Sequence, residues 1–148
     1  MSARIFVCFD ARHDTDLRTR FTTQCGAPGS TLAVVDWSRP DESPASREEK
    51  LRGRMAGVDV VVVLCGEHTD DSANVNRELG AAAQEGKPYL LLWGRRTGMC
   101  TRPVGAKADD HFYTWIWDVV NTQVDATIRR HHEIVDRDLG GLRGKRRS

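Results

Sequence analysis

Val58-Asp59-Val60-Val61-Val62-Val63-Leu64-Cys65 is the stretch whose reading decides how this chain folds. Apolar side chains run almost without alternation, the pattern of a strand covered on both faces, which belongs in the middle of a parallel sheet between helices. Downstream, Val75, Leu79, Ala82 and Ala83 make an inward stripe. That stripe predicts a helix from about Asp71 to Glu85, ended by Gly86.

The same alternation extends outward in both directions. Arg4 to Phe9 reads as a first strand, and Asp14 to Cys25 as a helix with Leu17 and Phe21 inside. Thr31 to Trp37 is a second, β-branched strand. The segment Ser38 to Ser46, with two prolines and its acids, predicts a loop acting as a flap. Ser46 is expected to cap a charged helix from Arg47 to Met55. Beyond Lys87-Pro88, Tyr89 to Trp93 is a fourth buried strand, and Gly94 to Ala108 is irregular, with an edge strand expected near Arg102 to Val104. Asp110 is expected to cap a long last helix in which Phe112, Trp115, Ile116, Val119, Val120 and Ile128 recur at helical spacing. The predicted fold class is therefore α/β: a doubly wound, flavodoxin-like parallel sheet with right-handed crossovers and strand order 2-1-3-4-5. In that order Phe9, Asp10, Cys65, Gly66 and Glu67 surround the crevice where ligands bind.

A chain of 148 residues suits one domain, read as residues 1–137, followed by a basic, flexible tail over 138–148. A net charge of +1 gives no footprint for nucleic acid. No apolar run approaches the roughly 20 residues that span a bilayer, so no membrane partner and a cytoplasmic location are expected. Cys8, Cys25, Cys65 and Cys100 form no CxxC pair and have no His at zinc-ligand spacing, which predicts reduced thiols and no metal.

Several ligand chemistries are excluded by what the loops lack. No GxGxxG follows the first strand, and no P-loop or GxSxG elbow occurs. A phospho-receiver needs an acceptor Asp at the end of the third strand, where this chain has Cys65 and Gly66. What remains is Leu64-Cys65-Gly66-Glu67-His68-Thr69-Asp70-Asp71-Ser72-Ala73-Asn74-Val75-Asn76-Arg77-Glu78-Leu79. Together with Phe6-Val7-Cys8-Phe9-Asp10 and Gly86-Lys87-Pro88-Tyr89-Leu90-Leu91-Leu92-Trp93-Gly94, it resembles the TIR-like family that includes the TIR proteins of bacterial Thoeris anti-phage systems. The resemblance covers most of residues 4–120. TIR enzymes carry Ser-x-Trp-x-x-x-Glu on the helix after strand three; Ser72 and Glu78 have that spacing, and Asn74 stands where the Trp would be.

The resemblance implies cleavage of the nicotinamide-ribose bond of NAD as substrate, with no separate cofactor, and a signalling nucleotide read by a separate effector protein. It also implies self-assembly, because TIR enzymes commonly build a composite site between subunits. Glu78 is then the catalytic candidate: a carboxylate stabilises the oxocarbenium-like ribosyl centre left when nicotinamide departs. It lies about 60° from Val75 around the helix, at the border of the buried stripe, whereas an ordinary helix Glu would be solvated. Ser72 is a candidate for substrate contact or for capping its helix. Phe9 and Asp10 are candidates for a pocket wall and a polar contact to nicotinamide or ribose, against strand-end packing and a turn. Asp36, with Trp37, is a candidate for binding adenine or ribose. Arg95 and Arg96 offer charge to a pyrophosphate or simply face solvent. His68 is left out of catalysis, and His131 and His132 suit the end of the last helix. Two other functions fit the same features: a non-catalytic TIR-like interaction module, and a nucleoside deoxyribosyltransferase-like enzyme that sets a Glu against a ribosyl centre.

Overall fold

The computed structural model describes residues 3–35 and 44–147, and their side chains except those of 44–46 and 138–147. Five parallel strands stand in the order β2-β1-β3-β4-β5. They are β1 (Ala3–Phe9), β2 (Leu32–Val34), β3 (Val60–Cys65), β4 (Tyr89–Trp93) and β5 (Phe112–Thr114). The helices are α1 (Thr15–Cys25), α2 (Pro44–Ala56), α3 (Ala73–Gln84) and α4 (Trp117–Arg147). This is the doubly wound α/β fold expected, with β3 in the middle.

Side chains on a strand alternate between faces, so β3 divides its own apolar run between two cores. Val60, Val62 and Leu64 join Ile5, Val7 and Phe9 against Leu17 and Phe21 of α1 and Val120 and Val124 of α4. Val61, Val63 and Cys65 join Phe6 and Cys8 against Leu51 and Met55 of α2 and Val75, Leu79 and Ala82 of α3. Every residue of β3 is buried, the physical reason for its unbroken hydrophobicity. All four cysteines are buried and free.

Three boundaries depart from expectation. Ala83 faces solvent, and the inward stripe of α3 is instead completed by Glu78 and Ala81. Helix α2 starts at Pro44 rather than after Ser46; proline's fixed φ and missing N–H suit a first helical turn. The third departure is at the C-terminal side. Residues 102–104 form no strand, and the edge strand is Phe112–Thr114, inside the segment expected to be helical. Phe112 packs edge-on against Trp93 at 5.3 Å, Trp115 turns to Phe21 at 6.0 Å, and α4 begins only at Trp117. Asp110 therefore caps no helix: its carboxylate accepts the Lys107 N–H at 2.8 Å and the Tyr89 hydroxyl, pinning the turn that enters β5. The helical backbone of α4 continues through residues 138–147. No described helix is long and apolar enough to cross a membrane.

Candidate functional site

The strand order reverses between β1 and β3, and the crevice beyond their C-terminal ends is the position where open parallel sheets bind ligands. Helix α3 enters this crevice with Ser72 as its N-cap. The Ser72 hydroxyl oxygen accepts from the Val75 N–H at 3.4 Å and donates to Asn74 Oδ1 at 2.9 Å, so its side chain works in capping and in orienting Asn74.

Asn74 is the centre of the arrangement. Its Nδ2 donates to the Phe9 carbonyl at 2.7 Å and to Glu78 Oε2 at 2.7 Å, while its Oδ1 also accepts the Ala11 N–H at 3.1 Å. One amide thus holds the backbone on both sides of Asp10 and, one helical turn on, the carboxyl of Glu78.

Glu78 is 0 % exposed. Its Oε1 is buried and makes no hydrogen bond, an uncommon condition for a buried polar atom. Burial pushes its pKa up to about 8, with the Asn74 hydrogen bond and the Arg77 charge opposing the rise. Cys8 lies in the same layer, its thiol 3.9 Å from the Val75 carbonyl; burial and the Glu78 charge push the thiol well above its ordinary value. The site therefore contains a carboxyl group held on one oxygen, uncommitted on the other, and poised to change protonation near neutral pH. Such perturbed groups concentrate at functional sites.

The other candidates are distributed unevenly around this centre. The Phe9 ring belongs to the α1 and α4 layer, on the sheet face opposite α3, and only its carbonyl reaches Asn74. Asp10 is buried, and both its oxygens are engaged locally: Oδ1 accepts the Arg12 N–H at 3.1 Å and Oδ2 lies 2.5 Å from His13 Nδ1. The His13 ring stacks on His68, with centroids 4.1 Å apart. Asp36 and Trp37, and residues 38–43 of the flap expected over Ser38 to Ser46, lie outside the described residues, while 44–46 belong to α2. Arg95 does not stand free for a pyrophosphate: it binds Asp14 at 2.8 Å and grips both oxygens of Asp16 at 2.6 and 2.8 Å. Asp14 sits so close to Gly66 that an added Cβ there would lie 2.3 Å from its Oδ2, which explains a glycine at the end of β3.

Two participants escaped the sequence reading. Asn74 registered only as a missing Trp, although its spacing of four from Glu78 puts the two on one helix face. His13 carried no comparable signal, because its meeting with Asp10 depends on the turn that follows β1.

A separate cleft of about 400 Å³ opens at the other end of the sheet, between the starts of β4 and β5 and α4; Tyr89, Asp110, Thr127, Arg130 and His131 are among its lining residues. Tyr89 and Asp110 there satisfy each other.

A comparison with curated proteins gave no match. A family model described as the TIR-like domain of Thoeris protein ThsB matches residues 6–97, more than half of the chain, from within β1 through Glu78 to beyond the end of β4. The chain belongs to the Thoeris ThsB TIR-like domain family.

Proposed function

We propose that this chain is an NAD-cleaving enzyme that releases nicotinamide and converts the ADP-ribosyl part into a signalling nucleotide, by cyclisation or transfer, for a separate effector in anti-phage defence. The observation that carries the proposal is the Glu78 carboxyl: anchored through Oε2 to Asn74, it keeps Oε1 uncommitted at the topological switch point. A ribose hydroxyl is a natural donor to such an oxygen. Ionised beside the ribosyl centre, the group would stabilise the positive charge that develops as nicotinamide departs with the electron pair of the broken C–N bond. Family membership supports the same reading.

The carboxyl is wholly covered, so on this reading substrate reaches Glu78 only after a rearrangement that uncovers it. Assembly with further copies is the step we assign to that opening. The same coverage favours a second reading, a non-catalytic interaction module in which Glu78 is a buried structural acid. Mass spectrometry of NAD incubated with wild type and Glu78→Gln, with and without extract from phage-infected cells, separates them. A nicotinamide-releasing activity lost in the variant is expected. Wild type that releases none under either condition would leave the interaction module standing, and a variant as active as wild type would remove Glu78 from the chemistry.

A further inference from the structure

The loop after β1 holds a pair of groups that the bond-breaking step does not use. Asp10 is buried, its Oδ1 accepts the Arg12 N–H, and its Oδ2 meets His13 Nδ1 at 2.5 Å. A carboxylate at that distance fixes the imidazole tautomer with its proton on Nδ1, which leaves Nε2 as a lone-pair acceptor. The ring is held a second time by its stack on His68, from the loop that follows β3. His13 remains 47 % exposed on its side chain, so a proton taken up by the ring can pass to solvent.

The position of this pair is not incidental to Glu78. The Asn74 amide binds the Phe9 carbonyl and the Ala11 N–H, the two peptide groups flanking Asp10, and donates from the same nitrogen to Glu78 Oε2. Asp10 and Glu78 are thus referenced to one planar group. His13 follows β1 and His68 follows β3, the two neighbouring strands whose C-terminal ends border the crevice.

We infer that His13, oriented by Asp10, is the general base for the acceptor in the second half of the reaction. The inference rests on the NAD-cleaving reading of Glu78. After the C1′–N bond breaks and nicotinamide leaves as a neutral base, an acceptor oxygen, from water or a ribose hydroxyl, forms the new C1′–O bond. The proton of that oxygen passes to His13 Nε2, giving an imidazolium paired with the Asp10 carboxylate, and is then lost to solvent. Asp10 is a positioning residue: Asp10→Asn would preserve the turn through its carbonyl oxygen but donate to Nδ1, which reverses the tautomer and places a proton on Nε2.

A nucleophile without a proton needs no base, and this separates the two steps. Full-length wild type, His13→Gln and Asp10→Asn are incubated with NAD and isotope-labelled nicotinamide, which fits the site that it leaves. Labelled NAD reports bond breaking and return; hydrolysed or cyclised product reports proton-bearing acceptors. Thermal unfolding of each variant confirms its fold. The expected result is exchange within about twofold of wild type in both variants, with product formation down by about 10²-fold, the lower range for general-base catalysis. Parallel loss of exchange and product, or no loss of product, overturns the role of His13 while leaving the Glu78 reading intact. Wild type that forms product without exchange also overturns it, since the ribosyl centre as written waits for its acceptor. Wild type that neither cleaves nor exchanges NAD removes the Glu78 reading and this inference together.

Discussion

The two ends of the sheet differ in a way that shape alone would misjudge. At the starts of β4 and β5 an open cleft of about 400 Å³ includes in its lining a polar pair that is already satisfied: Tyr89 donates to Asp110, and Asp110 also takes the Lys107 N–H. At the ends of β1 and β3 lies a fully buried acid, Glu78, with one oxygen that makes no hydrogen bond. Unmet hydrogen-bonding capacity, which costs free energy to maintain in an apolar interior, is the basis for assigning the proposed chemistry to the Glu78 end.

The sharpest way to break the comparison is to remove one polar group at each end. Glu78→Gln is expected to lower nicotinamide release by about 10²- to 10³-fold, the scale of losing one preorganised electrostatic contact, while Tyr89→Phe leaves the rate unchanged. A chromatographic assay of nicotinamide decides it; equal effects at both ends would erase the distinction.

Stability against pH tests the same carboxyl without substrate. The folded-state pKa of Glu78, about 8, lies above its ordinary 4.5, so between these values the unfolded chain ionises first and the fold loses stability as pH rises. Glu78→Gln is therefore expected to be more stable than wild type by roughly 3 kcal/mol at pH 7, with the advantage vanishing near pH 4.5. Denaturant melts of the two proteins across that range measure it, and a pH-independent difference would mean that the carboxyl is not held neutral.

Asn74→Ala strips partners from the Phe9 carbonyl, the Ala11 N–H and Glu78 Oε2 together. A loss of about 2 kcal/mol is expected in the same melts, because buried polar groups are left unsatisfied. Tyr89→Phe deletes the hydroxyl that donates to Asp110 and accepts from the Lys107 N–H; since that N–H also bonds Asp110, the change is expected to cost only about 1 kcal/mol. A larger cost than that of Asn74→Ala would make the cleft, rather than the crevice, the more tightly organised end.

The sequence made the layered fold legible because β3 is buried on both faces, and such a strand has no room for alternation. Glu78 was legible from its distance to Ser72 and from the family pattern, though a helical wheel placed it at the rim of the stripe rather than wholly inside. Val75, Leu79 and Ala82 set the inward face of the helix, and Asn74, one turn earlier, supplies a donor to the Glu78 carboxyl buried beside them. What failed was the stretch from Asp110 to Ile116. Its aromatic residues have helical spacing, but Phe112 and Tyr113 are also good strand formers, and pairing with Leu91 and Leu92 on the sheet edge prevails. Local periodicity carries no information about whether a free edge awaits the segment. The Asp10–His13 pair was hidden for a related reason: only the turn after β1 brings the two side chains together.

The Asn74 amide has one more consequence, which concerns motion rather than chemistry. Because a single side chain ties the β1 loop to the carboxyl of α3, opening the crevice far enough to admit a ligand cannot proceed by loosening one contact at a time. Release of Glu78 and displacement of the loop would then be one coupled event, with a closed and an open form as its two states. Whatever binds the open form shifts that balance only by the difference between its affinities for the two states.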